Sequence, residues 1–481
     1  MLRLDIGEYM RIIGRKIEQQ RLRRLCDSQR PEFAVVYGRR RVGKTFLIRE
    51  YFSNSFAFHV SGIAGGVARV QLQSFNESLA DIGCPDRAHD WFEAFRLLRG
   101  QLERDDVRRD AASGKRVVFI DEMPWLDTPR TDFRAALELF WNKWGSSQPD
   151  LLLIACGSAS SWIVRHLFKN RGGLHNRVTA RIKLEPFTLA ECAEYYRVNG
   201  IPLSQDLAIE SYMVFGGIPF YLDLLDRRLG LVQNIDNLCF SHQGELREEF
   251  DELYHSLFKH AERHVSAVRI LGSRLCGLSR REISEGTGIG LGGTLSATLG
   301  ELEASGFIRR YHAYGKDERD ATYQLVDPFS LFYLRFMENQ TDERFWSNNY
   351  QSGRVHAWEG YAFELVALLH LDQIRATLGV AGVAYDASTW RSAKSNPGAQ
   401  VDLVLDRNDG IINLCEMKFA REPYQITKAY DEVLRHKAAA FRDETKTRKA
   451  LHLTLVSPYG VKRNAYWQDV QAVIAADDLF A

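Results

Sequence analysis

The stretch Gly38-Arg39-Arg40-Arg41-Val42-Gly43-Lys44-Thr45 carries two glycines, a lysine and a hydroxyl in the spacing G-x-x-x-x-G-K-T. A loop of this kind turns its backbone N–H groups inward at a helix N-terminus, where they surround the β- and γ-phosphates of a nucleotide. Lys44 would add a point charge and Thr45 an oxygen for Mg²⁺. Phe46, first residue of the helical run FLIREYF, completes the candidate cradle. An apolar run, Val117 to Ile120, ends in Asp121-Glu122. Asp121 is placed to hold the Mg²⁺ shell and Glu122 to polarise an attacking water. A third run, Leu151 to Ala155, leads to Ser158, whose side chain could sense the loss of the γ-phosphate. Phosphoryl transfer also calls for an extra cation. Arg177 is the candidate, with Arg181 as its rival in RGGLHNRVTARIKLEPF; both read equally well as solvated charges.

A second constellation sits near the C-terminus. In AQVDLVLDRNDGIINLCEMKF two apolar strands flank the turn Arg407-Asn408-Asp409-Gly410. Glu416 and Lys418, two residues apart on one strand, point to the same face. Asp402, across the hairpin, can share a metal with Glu416, and the Lys418 ammonium can orient water or stabilise charge. Phosphodiester hydrolysis uses such a set: carboxylate oxygens suit Mg²⁺, with Mn²⁺ as a substitute, and the ion activates water. The bland alternative is a surface charge pair on a fold kept for binding.

The elements that must position these residues alternate short apolar strands with helices, the pattern of α/β layers. The motifs divide the chain into four expected parts. Residues 1–186 form a doubly wound parallel-sheet nucleotide-binding core, and 187–258 a helical lid built of amphipathic runs such as AECAEYYRV. Residues 259–338 read as three helices and a hairpin, a winged helix-turn-helix. Its third helix is expected to align Leu291, Leu295, Leu299 and Leu302 and to expose Thr294, Ser296 and Thr298. Arg280, Arg281, Arg309, Arg310 and Lys316 would supply a modest phosphate-binding patch, against the alternative of packing on a protein partner. Residues 339–481 read in the order αβββαβ of a restriction-endonuclease-like core, closed by a helix ending in DDLF.

Ile13-Gly14-Arg15-Lys16-Ile17-Glu18, VYGRRRVGKT, IDEMPWL, CGSASSW and Gly216-Gly217-Ile218-Pro219-Phe220-Tyr221-Leu222 together resemble the archaeal-type ATPases of the AAA-like and STAND branch of P-loop NTPases. The likeness spans residues 10 to about 330. It implies that Gly14 and Arg15 border an adenine site, that the G-G-x-P segment belongs to the lid, and that ATP is preferred. V-D-L-V-L and C-E-M-K-F resemble the two halves of the PD-(D/E)XK nuclease motif, although Val401 stands where that motif has proline. By the same resemblance Glu364 is the first-helix acid and a further metal ligand, with Glu359 as the competing choice. Nuclease-like domains of this kind follow such ATPases in many prokaryotic chains.

The chain has 481 residues, too many for one core. A formal net charge of +1 excludes a bulk polycation, so any DNA surface must be local. Seven scattered cysteines without C-x-x-C spacing read as reduced thiols of a cytoplasmic protein. No run approaches a membrane span in length, and the N-terminus lacks a signal-peptide pattern. The expected partners are ATP or ADP, DNA and a protein at the winged helix, with self-association left open and no membrane.

Overall fold

The computed structural model describes residues 12–158, 160–168, 176–274, 277–316, 320–392 and 394–481. The N-terminal segment, Cys276 and half of the KDERDA tip lie outside them. The chain divides into two compact units. The first runs to Pro186 and takes in His255–Lys259 and Ala304–Gly306; the second holds the rest.

The first unit is built on five strands: β1 (Glu32–Gly38), β2 (Phe58–Ser61), β3 (Arg116–Asp121), β4 (Leu151–Gly157) and β5 (Ala180–Leu184). They are all parallel, in the order β2-β3-β4-β1-β5. Every residue of β3 and β4 is buried. Continuous apolar runs such as VVFI and LLLIAC are what a sheet covered on both faces requires. Phe33, Phe58, Phe75, Trp91, Phe95 and Phe133 belong to its main hydrophobic core. Because the strands are parallel, their C-terminal ends share one edge. With β4 standing between β1 and β3, that edge gathers the glycine loop, the acidic strand end and Ser158.

The second unit contains two further sheets. The smaller is antiparallel, β6 (Leu278–Ser279), β7 (Ile308–Tyr311) and β8 (Thr322–Leu325) in the order β6-β8-β7. The larger contains β9 (Tyr385–Arg391), β10 (Gln400–Arg407), β11 (Ile411–Met417), β12 (Ala450–Val456) and β13 (Val470–Ile474), ordered β13-β12-β11-β10-β9. Strands β9 to β11 pair antiparallel and β11 to β13 parallel. The long helix Lys428–Thr445 packs through Phe441 and Ala440 on Val404, Ile412 and Leu414.

Four expectations change. The closing segment is not one helix: Val470–Ile474 is a strand, and only Ala476–Leu479 is helical. Its valines and isoleucine find a β12 edge to pair with, which outweighs the helical pattern. The helix expected to align four leucines starts at Gly293, so Leu291 lies before it at 58% exposure while Leu295, Leu299 and Leu302 are buried. Thr298 is also buried, its hydroxyl donating to the Thr294 carbonyl at 3.0 Å, so of the three hydroxyls only Thr294 and Ser296 face solvent. Arg309, assigned to the basic patch, is held inward. It donates to Gln324 at 2.8 Å and lies over the Tyr311 ring at 4.6 Å. Burial pulls its guanidinium below the usual arginine range.

Candidate functional sites

In the first unit the sequence motif becomes a tight cradle. Gly38 ends β1 at φ 149°, and a Cβ there would collide with the Leu184 carbonyl of the neighbouring β5. Only glycine lets the chain leave the sheet at that point. Arg41 (φ 71°) and Gly43 (φ 87°) then turn left-handed, and the helix Lys44–Tyr51 starts with Gly43 as its cap. Lys44 is 5% exposed, and its ammonium donates to the carbonyls of Gly38 at 3.1 Å and Arg39 at 2.8 Å. Burial draws its pKa below the usual lysine range, against the opposing pull of Glu122 and Asp121. Val42 is buried, Arg40 half-buried, and Phe46 exposed on the helix's outer face.

Thr45 Oγ1 donates to Asp121 at 3.0 Å, joining the loop to the end of β3. Glu122 adopts a left-handed backbone, φ 43°, which turns its carboxylate to accept from both the backbone N–H (3.2 Å) and the hydroxyl (2.9 Å) of Ser158. A loop, two strand ends and the Ser158 hydroxyl therefore form one hydrogen-bonded edge. The Thr45 hydroxyl and Asp121 carboxylate are oxygen donors side by side, the chemistry that Mg²⁺ takes.

Arg15, at φ 53° and 5% exposed, reaches the Glu185 carbonyl at 2.6 Å and the Val42 carbonyl at 3.0 Å. Its guanidinium braces the loop against the end of β5, with Gly14 (φ 62°) providing the turn. Arg177 is exposed in the turn before β5. Arg181 is exposed on β5 with its guanidinium 4.3 Å over the Phe168 ring. Glu122 is held by Ser158, and neither arginine takes that place.

In the second unit Leu403 pairs with Cys415 across β10 and β11, and Asp402 and Glu416, the next residues along the two strands, lie close enough for their charges to interact. The helix Gly353–Leu369 contributes Glu364. Its carboxyl is pushed up to about 8, first by burial and then by the charge of Asp402. Glu359 turns elsewhere: with Glu210 it grips Arg421, at 2.8 and 3.0 Å. Of the two acids proposed for this helix, Glu364 is the one facing Asp402 and Glu416.

Glu416 is 1% exposed, and burial raises its pKa. Both its oxygens are engaged: Oε1 accepts from the Lys437 ammonium at 2.7 Å and Oε2 from the Tyr430 hydroxyl at 3.1 Å. Lys418 lies 4.0 Å from Oε2 and 5.1 Å from the Tyr430 ring centre. The donor chemistry is that of a divalent-cation site. Its present geometry is not, since among the described residues no three His, Cys, Asp or Glu side chains stand close enough to hold an ion.

Lys437 and Tyr430 were not singled out from the sequence. Their signal is a stripe on the helix Lys428–Thr445, where Tyr430, Leu434, Lys437 and Phe441 recur at three- and four-residue steps. Leu434 and Phe441 are buried, so the lysine on that stripe marks a point where the core gives way to charge. The six described cysteines are buried and outside any disulfide, and no described helix is long and apolar enough to cross a membrane.

No family model matches the chain. An uncharacterized protein of Methanocaldococcus jannaschii is 22% identical over 434 residues, covering 88% of this chain and 91% of that one. Among solved structures, a Walker-type ATPase of Pyrococcus abyssi aligns over 67% of this chain and 96% of its own, with 18% identity and a TM-score of 0.44. The ORC2 protein of Aeropyrum pernix, in ADPNP–ADP complexes, aligns over 72% and 97% with 14% identity and a TM-score of 0.37.

Proposed function

We propose that the protein binds and hydrolyses ATP, and that its nucleotide state controls a metal-dependent, DNA-directed nuclease-like site in the second unit. The observation that carries the first half is the continuous edge in which Thr45 meets Asp121 and Glu122 meets Ser158, beside a buried Lys44. In this reading the inward amides of the loop hold the phosphates, and Lys44 leaves its carbonyl partners for the more strongly charged phosphate oxygens. Glu122 polarises water, and Ser158 exchanges its bond to Glu122 for one to the γ-phosphate, which couples hydrolysis to the position of β4. Bound Mg²⁺, held by Thr45 and Asp121, would neutralise charge on the transferring phosphoryl group.

For the second half, the support is the grouping of Asp402, Glu416, Glu364 and Lys418 within reach of one another's charge. The three-helix and hairpin segment is read as a winged helix. With Arg309 turned inward, and Arg281 paired to Glu285 at 2.9 Å, its cationic surface is thin, which favours a protein partner over DNA for that module. A second reading of the nuclease-like site, that it binds without cutting, is favoured by the engagement of both Glu416 oxygens. The deciding experiment incubates the protein with ATP, Mg²⁺ or Mn²⁺ and a panel of linear, branched and single-stranded nucleic acids, comparing wild type with Asp402→Asn. Cleavage by the wild type alone supports the nuclease; no cleavage of any substrate by either protein leaves the ATP-switched binding protein.

A further inference from the structure

The acidic cluster poses a specific contradiction. Its residue types are those of a metal site, yet the carboxylate at its centre is already coordinated by the protein's own cation. The Lys437 ammonium is 2.7 Å from Glu416 Oε1, and its side chain is only 18% exposed. It arrives from a different element than the acids, the helix that covers this face of the sheet. Its anchoring there is firm: Leu434 and Phe441, three and four residues away on the same stripe, are 3% and 0% exposed. The other Glu416 oxygen is capped by Tyr430 of the same helix, so one helix closes both positions on the carboxylate.

We propose that Lys437 is a resident counter-cation of this site, occupying the position beside Glu416 that a divalent ion would take and competing with it. This rests on reading Asp402, Glu416 and Glu364 as a metal-directed set. The physical argument is substitution. A buried carboxylate needs a positive partner, and the chain supplies one on a long flexible stem. A divalent ion can enter only by displacing that ammonium. Lys437 then swings within reach of whatever anion accompanies the ion, on the same face as Lys418. The site would therefore be weak for metal when alone and would bind metal and a phosphate-bearing strand together, since the strand gives the displaced ammonium a new partner.

The test is metal binding, read without catalysis. Mn²⁺ is titrated calorimetrically into full-length wild type, Lys437→Met and Lys437→Arg, each with and without Asp402→Asn, so that heat lost with that change is assigned to this site. Lys437→Met should bind Mn²⁺ at the Asp402-dependent site at least tenfold more tightly than wild type, while Lys437→Arg, which keeps the cation, should stay within a few-fold of it. Unaltered thermal unfolding of the variants, followed by circular dichroism, reports that they are folded. If wild type and Lys437→Met bind Mn²⁺ equally, or the Met variant binds it more weakly, Lys437 is not a competitor and the inference fails while the metal reading stands. If no variant shows Asp402-dependent binding, the metal reading falls and the inference with it.

Discussion

The two charged sites handle the same electrostatic problem differently. At the glycine loop, charges are parked on neutral groups: Lys44 on two backbone carbonyls, Asp121 on the Thr45 hydroxyl, Glu122 on Ser158. At the acidic cluster, charge is parked on charge, Glu416 on Lys437 with Lys418 nearby. A lysine resting on neutral carbonyls is surrendered readily to a phosphate, because a full opposite charge attracts it more strongly than a dipole does. A buried ion pair is surrendered only to something that neutralises both members. On the proposed reading the first site is prepared for a phosphate, whereas the second would open only to a cation and an anion together.

That contrast can be broken at several points. The largest expected effect is on turnover: Glu122→Gln should retain ATP binding and lose about 10²- to 10⁴-fold in hydrolysis rate, measured by phosphate release. Full activity in this variant would remove Glu122 from the chemistry. Lys44→Ala should weaken ATP binding about a hundredfold or more, read by titration with a fluorescent analogue. Unchanged affinity would mean that the cradle does not hold the phosphates.

Removing Arg421 with alanine strands Glu210 (6% exposed) and Glu359 (3% exposed) without their shared cation. Breaking a buried pair costs roughly 3–5 kcal/mol, and because the Arg421 side chain is itself 44% exposed the expected loss is nearer about 2 kcal/mol in chemical denaturation. A loss no greater than that of an average surface substitution would show that the network is ornamental to stability.

The smallest effect sharpens the comparison most. Glu364 has a folded pKa near 8, above that of an ordinary glutamate, so the folded state keeps a proton that the unfolded chain releases between those values. Stability should then decline as pH rises through that window in metal-free buffer. Glu364→Gln, which cannot ionise, should lose less stability than wild type between pH 5 and pH 8.5 in thermal melts with EDTA. Parallel pH dependences for the two proteins would mean that neither burial nor the neighbouring carboxylates raise the Glu364 pKa.

The first site was largely legible in advance because its parts are local. Eight contiguous residues make the loop, and buried parallel strands announce themselves as unbroken apolar runs such as VVFI. Less legible was what the neighbours do. That Arg15 spends its guanidinium on the Val42 and Glu185 carbonyls depends on β5 lying beside β1, which no local pattern states. In the second unit the period-two rule placed Glu416 and Lys418 on one face. It could not choose between Glu359 and Glu364, five residues apart on one helix, because that choice depends on where Arg421 ends up. Periodicity also misled where burial and solvent patterns coincide, as with Leu291 and the final strand.

By itself, the sequence determined the identity of the chemical groups and their short-range order: a glycine turn before a lysine, acids at strand ends, an acid and a lysine two residues apart. These follow from backbone sterics and side-chain periodicity, which act over a few residues. Only the tertiary structure decided which charges neutralise which. Coulomb energy depends on distance through a low-dielectric interior, and helix packing brings Lys437, 21 residues away in sequence, to 2.7 Å from Glu416.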